Sequence, residues 1–293
     1  MLHNMTGLPR NGGLWTRVVA LLCGLLMSAA TFGQDQSPSR EVLHAKYFLS
    51  IGLFAPDRKV RLGLDASVDA TIPQPDPYLD FSETFDFKSR DETFSAEFGW
   101  NFGERWQFRG QYFRIDADQE VTLNEDIQWG DYVFVEGTSA TGGTDMQITR
   151  LFFGRKFWEA DNFEAGLGLG GHILDLSGFI YGEASVDGEL VGFVQERASV
   201  SQPLPNIGGW FWRAYGDRWL LKARLDWLSA DIGKYDGQII NASLGFVYTA
   251  SEHFGVGLSY NLFELDVGVN DSDWQGRIRS RFQGPYLALT GYW

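Results

Sequence analysis

The sequence predicts an all-β chain that closes into an antiparallel up-and-down transmembrane β-barrel of about ten strands, with eight and twelve strands as alternatives. The chain ends on an alternating aromatic stretch, Pro285–Trp293, and a barrel needs such a strand to pair with its first strand and face hydrocarbon. A hairpin pattern recurs four times before it. Beyond residue 33 no segment approaches the ~20 consecutive apolar residues of a spanning helix, although 44% of the chain is hydrophobic, 15% is aromatic and 35 residues are glycine.

The first 33 residues have the pattern of a secretory signal peptide. Arg10 and Arg17 precede an apolar run, Val18–Met27, that is too short to span a bilayer as a helix. Small residues follow this run at Ser28, Ala29, Ala30 and Gly33. We expect cleavage after Ala30 or Gly33, and the alternative is a membrane anchor that stays attached.

The chain is therefore divided into a signal peptide at 1–33 and one barrel domain at 34–293. The single cysteine, Cys23, lies in the signal peptide, so the barrel domain has no disulfide, which suits passage through an oxidising periplasm. The net charge of −14 argues against a nucleic acid as a partner. We expect the mature chain in the cell outer membrane after secretion across the inner membrane.

The first wall strand is predicted at Tyr47–Leu53, where the residues alternate between two faces. The polar stretch Gln34–Glu41 before it is expected to be a short periplasmic segment. Residues 55–91 contain a proline-rich run and are predicted to form a long loop. Two stretches inside this loop, Val60–Val68 and Leu79–Phe87, also alternate, and they are either strand extensions above the membrane or an extra hairpin of the wall.

Four hairpins follow, each with a descending strand, a short turn and an ascending strand. The turns are Gly103–Arg105, Ala160–Asn162, Gly216–Arg218 and Ser251–His253. An aromatic residue follows each turn at once: Trp106, Phe163, Trp219 and Phe254. An aspartate stands twelve residues after each aromatic: Asp118, Asp175, Asp231 and Asp266. Twelve residues of tilted strand climb roughly 30 Å, which is the thickness of the hydrocarbon layer. Aromatic and aspartate therefore mark the inner and outer interfaces on one face of each strand.

The two faces of these strands differ in polarity. The face with the aromatic marks is apolar, for example at Phe98, Leu225 and Leu258, and is predicted to contact lipid. The opposite face is predicted to line the lumen with Glu97, Arg109, Gln111, Arg150, Lys156, Glu164, His172, Lys222, Arg224, Asp226 and Asn261. These charges form either a structural ion-pair network or a polar passage or binding site for a small anionic solute. A ten-strand barrel is only slightly wider than one that side chains can fill, so a large pore is excluded.

Near the outer end the predicted lumen face becomes apolar. It carries Phe113, Ile115, Leu174, Leu228 and Phe263, and two tryptophans, Trp210 and Trp212, also point inward. This collar is interpreted as a constriction, a route for a hydrophobic ligand, or a packed plug. The glycines at Gly166, Gly168 and Gly170 are best explained as inward positions that leave space in the lumen.

Four motifs connect the chain with known proteins: Phe-Gly-Glu-Arg-Trp at 102–106, Tyr-Gly-Asp-Arg-Trp at 215–219, Phe-Gly-Val-Gly-Leu-Ser-Tyr at 254–260, and Gly-Pro-Tyr-Leu-Ala-Leu at 284–289. Through them the chain resembles the small outer-membrane β-barrel proteins of Gram-negative bacteria. The resemblance covers nearly the whole mature chain and implies insertion by the barrel assembly machinery, which reads the terminal strand. It implies no single activity, because such barrels include enzymes, narrow porin-like channels, adhesins and members with no assigned function.

Residues for catalysis are not evident in the sequence. Omptin-like proteases need an Asp–His pair and facing aspartates at the outer rim, and the Asp-x-His spacing is absent. His44 and His253 fall on the periplasmic side, while His172 is a lone lumen residue. Lipid-modifying barrels need a lipid-facing Ser–His pair, and none occurs in this register. No phosphate loop, metal ligand spacing or cofactor motif is found.

The sequence thus favours a non-enzymatic outer-membrane barrel of structural or narrow-channel type with a charged lumen. One alternative is a barrel enzyme of protease or lipid-modifying type that uses His172. Another is surface recognition or adhesion through the long loops predicted at 55–91 and 119–146.

The expected partners are those of a membrane surface. Acidic residues gather in the predicted loops at Asp76, Asp80, Glu83 and Asp86, and again at Asp116, Asp118, Glu120, Glu125 and Asp126. They form either solvated faces or sites where divalent cations bridge to lipopolysaccharide phosphates. The lipid bilayer and lipopolysaccharide are therefore the predicted partners, and the chain is expected to be a monomer.

Overall fold

The computed structural model describes residues 37–64, 78–86, 93–232, 235–270 and 275–293. These residues form fourteen strands and two short helices. In chain order they are α1 Pro38–His44, β1 Tyr47–Phe54, β2 Asp57–Leu64, β3 Tyr78–Asp80, α2 Phe81–Thr84, β4 Thr93–Phe102, β5 Trp106–Thr122, β6 Ile127–Trp129, β7 Tyr132–Phe134, β8 Ser139–Ala160, β9 Phe163–Val186, β10 Glu189–Tyr215, β11 Trp219–Ile232, β12 Tyr235–Thr249, β13 Phe254–Asn270 and β14 Gln275–Tyr292. The predicted signal peptide lies outside the described residues. No described helix is long and apolar enough to cross a membrane.

Ten of the strands close into an antiparallel barrel, as predicted. The wall runs β1-β4-β5-β8-β9-β10-β11-β12-β13-β14 and returns to β1. The closing seam pairs β1 with β14, from Phe48 opposite Tyr292 to Phe54 opposite Tyr286. At its periplasmic end Tyr47 N donates to Trp293 O over 2.7 Å, so the aromatic end of the chain is bonded into the wall.

The stretch after β1 is an extension of the first strand and adds no wall strand. β2 pairs with β14, the same neighbour as β1, from Asp57 opposite Gln283 to Leu64 opposite Gly276. Because β1 and β2 share one partner strand, the twelve-strand alternative is wrong. The predicted strand extension at Val60–Val68 is seen up to Leu64, and its remainder lies outside the described residues.

The prediction of a second strand at Leu79–Phe87 is wrong for most of its length. β3 has three residues, and the chain then turns into α2. The reason is a helix cap: the Asp80 carboxylate accepts hydrogen bonds from Ser82 N and Glu83 N over 3.1 and 3.2 Å. A capped turn of this kind satisfies donors that a strand would need to pair with a neighbour. Phe87 lies outside the described residues.

The predicted long loop at 119–146 is also largely wrong. β5 and β8 continue past the membrane as a paired ribbon that ends with Thr122 opposite Ser139. Only residues 123–138 lie between them, and they contain the small β6–β7 hairpin. The inward face of this ribbon is buried, for example at Ala140 and Met146. Other inward positions are small or polar, as at Gly142 and Thr144, so the alternation of hydrophobic and polar residues is weak there and did not show these extensions.

The apolar faces of the strands point outward and the charged faces inward. Leu225 and Leu258 are 53% and 60% exposed on the outer surface, and Phe98 is also exposed there. By contrast, 4% of Arg109 is exposed. A continuous belt of exposed leucine and aromatic side chains around a closed sheet is stable only in contact with lipid.

The short helix α1 covers the periplasmic end of the barrel, where the sequence indicated a polar segment. Its Val42 and Leu43 are fully buried against a cluster that contains Phe48, Trp212, Leu220, Val247 and Tyr292. Ser39 fixes the helix to the turn between β10 and β11, because its Oγ donates to Gly216 O over 2.8 Å and its N donates to Asp217 O over 3.0 Å. The helix therefore closes this mouth with apolar side chains.

The outer mouth is covered by α2 and the β6–β7 hairpin. Phe81 and Phe85 are fully buried, and the Phe81 ring lies 5.1 Å from the Trp129 ring. Gly142 on the inward face of β8 lets Phe85 approach, since a Cβ atom there would lie 2.4 Å from the phenyl ring. Within the described residues these groups join the upper core of the barrel and form its lid.

Candidate functional site

A buried ion pair between two non-adjacent strands lies in the lumen. Arg150 is on β8 and Asp226 is on β11, with β9 and β10 between them in the wall. Arg150 Nε lies 2.5 Å and Nη2 lies 2.8 Å from the two carboxylate oxygens of Asp226. The two side chains are 1% and 0% exposed. This two-point contact across the lumen fixes the orientation of both groups.

Glycines on the inward faces of β9 and β10 make room for this pair. A Cβ atom on Gly208 would lie 2.2 Å from Asp226 Oδ1, and one on Gly170 would lie 3.0 Å from the Phe152 ring. The Arg150 guanidinium carbon lies 4.5 Å from the centre of that ring. The strand glycines, including Gly166 and Gly168, are inward positions where neighbouring side chains approach closely, as the sequence indicated.

His172 lies beside this pair and is fully buried. It stands opposite Arg150 in the pairing of β8 with β9. Asn241 Nδ2, from β12, donates a hydrogen bond to His172 Nε2 over 3.0 Å. Because an amide nitrogen only donates, Nε2 is the accepting and unprotonated nitrogen of the ring. This environment is typical of a hydrogen-bonded histidine inside a polar network.

Arg224 connects this network to the first strands of the barrel. Its Nη2 donates to Asn241 Oδ1 over 3.3 Å, and its Nη1 lies 3.9 Å from Glu97 Oε1 on β4. Asn241 therefore joins Arg224 to His172. Sequence analysis missed Asn241, although its even spacing from Ser243 places both on the inward face of β12.

Nearer the periplasmic end, two cations lie over the same two aromatic rings. The Arg109 guanidinium carbon is 4.5 Å from the ring centres of both Phe48 and Trp212. Lys222 Nζ is 4.7 Å from the Phe48 ring centre and 4.3 Å from that of Trp212. Arg109 Nη2 also donates to Asn101 Oδ1 over 3.2 Å. Cation–π contacts are worth about 0.5–2 kcal/mol each, so these rings hold both cations in the lumen.

A third group surrounds Glu164, which is fully buried. Trp210 Nε1 donates to Glu164 Oε1 over 3.1 Å, and Lys156 Nζ lies 3.8 Å from Glu164 Oε2. Lys156 also forms an ion pair with Glu159. The inward tryptophan thus bonds a carboxylate that would be costly to bury alone.

Gln111 and Asn261 line a second part of the lumen. Gln111 is buried on β5, and Asn261 on β13 accepts a hydrogen bond from Ser259 Oγ over 3.0 Å. Together with Glu97 and Arg224 they border a cavity of about 60 Å³. The structure therefore places all eleven side chains of the predicted lumen set within the barrel or at the edge of its interior.

The lumen is filled by these side chains. The second cavity, of about 50 Å³, is bordered by Glu97, Arg109, Arg150, Lys222 and Arg224. A molecule of liquid water occupies about 30 Å³, so each cavity is large enough for one or two waters. Among the described residues, neither cavity forms a passage along the barrel axis.

The predicted apolar collar lies above the charged network and is packed. Phe113, Ile115, Leu174 and Phe263 are buried, and Leu228 packs against them at the edge. The Phe113 and Phe263 rings meet edge to face with their centres 5.9 Å apart. The collar continues into the lid described above, so it has the packing of a plug.

The histidines and possible metal ligands of the described residues are dispersed over the barrel. No three His, Cys, Asp or Glu side chains among these residues are grouped so as to hold a metal ion. Their histidines are His44 in α1, His172 in the lumen and His253 in a periplasmic turn. The described part of the outer rim therefore has no histidine that could activate a nucleophile or a water molecule.

Comparison with known proteins supports the fold. No family model and no curated protein sequence matches the chain. Among solved structures, the outer membrane protease OmpT from Escherichia coli matches with a TM-score of 0.53 and 10% identity, over 90% of this chain and 100% of that one. The toluene transporter TodX of Pseudomonas putida matches with a TM-score of 0.37 and 8% identity, over 88% and 93% of the two chains. Ail, the attachment invasion locus protein of Yersinia pestis, matches with a TM-score of 0.31 and 10% identity, over 84% and 96%.

At these identities the likeness shows the fold alone. The chain has the fold of an outer-membrane β-barrel, and its exposed apolar belt requires a bilayer around it. These two findings together place it in the outer membrane.

Proposed function

We propose that this outer-membrane barrel is a structural, non-conducting and non-enzymatic protein whose charged lumen braces the wall. The observation that supports this best is the closure of the barrel axis at three levels. Leu43 of α1 fills the periplasmic end, the Arg150–Asp226 network fills the middle, and the collar and lid fill the outer end. Ion conduction needs a continuous polar path, and packed phenyl rings above and below the network interrupt it.

The lumen pairs also support a bracing role. Arg150–Asp226 joins β8 to β11, and Arg224–Glu97 joins β11 to β4. Each contact links strands that are not neighbours in the sheet. Such contacts resist flattening of the barrel, which the hydrogen bonds between adjacent strands alone do not.

Absence of conductance is the first test of this proposal. We expect the refolded chain in planar lipid bilayers to give no conductance steps, and we expect the same of a variant that lacks residues 37–44, because the network and collar remain in place. Insertion is verified by the mobility of the unheated, folded band in gel electrophoresis. Stable single-channel steps from the intact protein would contradict a structural role and favour a narrow channel.

A second candidate function, binding of a small anion, is favoured by the charges around the 50 Å³ cavity. Four cations border it, on Arg109, Arg150, Lys222 and Arg224, with one carboxylate from Glu97. Asp226 pairs with Arg150 and Glu97 lies near Arg224, so Arg109 and Lys222 carry the excess charge. An excess of positive charge in a low-dielectric space attracts an anion strongly. The size of the cavity restricts the candidates to ions such as chloride.

Anion binding is tested by comparing the stability of the barrel in two sodium salts at the same ionic strength. If chloride binds, the urea midpoint of unfolding should be higher in sodium chloride than in sodium gluconate, because a ligand of the folded state stabilises it. The difference should disappear in Lys222→Met, which removes one lining cation and retains most of the side-chain volume. Equal midpoints in both salts, or an equal difference in the variant, would exclude the anion site.

A further inference from the structure

The barrel wall separates between two strands. β10 and β11 pair from Tyr215 opposite Trp219 up to Ile207 opposite Trp227, and no described pair joins them beyond that point. Above it, β10 remains paired with β9 up to Glu189, and β11 remains paired with β12 up to Ile232. The wall therefore has two diverging strand edges, which we call the β10–β11 split.

The split begins within the membrane. Trp227 lies eight residues above Trp219, the aromatic residue that marks the inner interface. Eight residues of tilted strand climb roughly 20 Å, and the hydrocarbon layer is ~30 Å thick. The outer ~10 Å of that layer therefore faces the split. An open sheet edge in hydrocarbon is costly, because its N–H and C=O groups have no partner there.

Two prolines reduce this cost on β10. Ala214 N donates to Asn162 O over 2.8 Å, on the side of β9. The pairing of β10 with β9 is regular from Gly192 to Arg213, so even-numbered residues direct their N–H groups to β9 and odd-numbered residues direct theirs to β11. Pro203 and Pro205 are odd-numbered and have no N–H group. They occupy the first two such positions above Ile207, where a donor would otherwise point into the split.

An apolar groove on the lipid-facing surface leads up to the split. Its volume is about 850 Å³, and its walls are Leu167, Leu169, Ile207, Phe211, Leu225 and Trp227. Gly209 and Ala223 form its floor, because their side chains are too small to fill it. Ile207 and Trp227 are also the last pair below the split, so groove and split are one continuous feature.

Behind the split lies the apolar upper core. Leu204 on β10 and Leu228 on β11 are partly buried and pack against the core cluster that contains Leu174, Ile239 and Phe263. These two leucines are the inward neighbours of the unpaired edges. An apolar surface thus extends from the lipid belt, along the groove and through the split, to Leu204 and Leu228. The buried amide of Asn206, between Ile207 and Leu204, is a polar side chain on this path.

We propose that the β10–β11 split is a lateral portal that admits an acyl chain of an outer-leaflet lipid from the groove as far as Leu204 and Leu228, at the side of the packed upper core. The occupant is an acyl chain because the groove is continuous with the lipid-contacting belt. The proposal goes beyond the structural function above: the barrel is closed along its axis and open to lipid at its side.

Photo-labelling tests the portal. The full chain is reconstituted in phosphatidylethanolamine and phosphatidylglycerol vesicles with a phospholipid that carries a diazirine on one acyl chain, and labelled residues are mapped by mass spectrometry. We expect adducts on the inward residues Leu204 and Leu228. Leu258, outward on a distant strand, should be labelled in every variant and serves as the internal reference.

A disulfide across the split provides the matched control. Pro205 and Ser229 continue the register of Ile207 and Trp227, two residues further along each strand. In Pro205→Cys/Ser229→Cys, oxidation should lower the labelling of Leu204 and Leu228 at least fivefold relative to Leu258, and reduction should restore it. Ser229→Cys alone, which keeps both prolines, should label like the unmodified chain.

A second variant keeps the proposal testable if the disulfide does not form. In Pro203→Thr/Pro205→Thr, two N–H donors return and the strands should pair further, which should also lower inward labelling. Adducts confined to outward residues, or inward adducts that neither variant reduces, would overturn the portal. So would dimers linked through Ile207→Cys, because a second copy would then cover the groove. None of these outcomes depends on ion conductance. Failure of the portal would therefore leave the structural, non-conducting function intact, and conductance would overturn that function without affecting the portal.

Discussion

Replacing Asp226 by asparagine should lower the free energy of unfolding by about 3–5 kcal/mol, because removal of one partner leaves a buried charge uncompensated. Arg150 is 1% exposed and directs two guanidinium nitrogens at the carboxylate that would be lost. Asparagine has nearly the same shape, so the loss reports the charge. The measurement is urea unfolding in lipid vesicles, followed by the mobility of the folded band in gel electrophoresis.

Two controls separate this effect from general damage. Arg150→Met/Asp226→Leu removes both charges and should recover most of the stability, because apolar residues often replace a buried ion pair without loss. Asp236→Asn breaks an exposed pair in which Arg277 Nη1 lies 2.9 Å from Asp236 Oδ2, and it should cost less than ~1 kcal/mol. If Asp226→Asn were as mild as Asp236→Asn, the lumen pair would not brace the wall.

Leu244→Arg should cost about 2–4 kcal/mol, the penalty for an arginine on the lipid face at the middle of a bilayer. Leu244 is 58% exposed and pairs with Tyr260, six residues above Phe254, which places it near half height. The change puts a charge where the outward face meets hydrocarbon. The same urea titration measures it.

The matched control is the same substitution at a position nearer the membrane surface. Tyr248 lies on the same face of β12, and it pairs with Trp219 at the inner interface. Tyr248→Arg should therefore cost about 0–1 kcal/mol, because an arginine there reaches the headgroups. Equal costs at the two positions would mean that the exposed face is not buried in a bilayer, and the assignment of a lipid belt would fail.

The wall of the barrel could be predicted from the sequence because its signal is local and periodic. Alternation and the aromatic residue after each of four turns determine the strand count, the faces and the closing strand. The pattern therefore predicts Leu225 outside and Arg109 inside, where the structure has them. The extensions above the membrane gave a weaker signal, since the buried inward positions of β8 there include small and polar residues such as Gly142 and Thr144.

The lumen could be predicted in its composition but not in its pairing. Alternation placed Arg150 and Asp226 on inward faces, yet it does not show which inward residues meet across a cylinder. Their contact depends on the close approach allowed at Gly208, on a strand between them. The spacing of Asn241 places it on the inward face, but a single uncharged amide is a weaker signal than the charged residues that define the predicted lumen set.

The β10–β11 split shows what a periodic pattern cannot indicate. A strand edge without a partner has the same alternation as a paired one. The informative residues were Pro203 and Pro205, because prolines at consecutive odd positions remove donors from one side of a strand only. A tandem of this kind inside a predicted barrel strand therefore indicates an unpaired edge.

Helix α1 has a consequence for the order of assembly. The surface on which Val42 and Leu43 rest is contributed by Phe48 of the first strand, Tyr292 of the last and Trp212 from the middle of the chain. Those three side chains come together only when the sheet has become circular, so α1 docks last although it is synthesised before every wall strand. An ordered N-terminal turn is consequently a marker of completed circularisation, and a protease that cleaves near Ser39 would discriminate unfinished chains from mature ones.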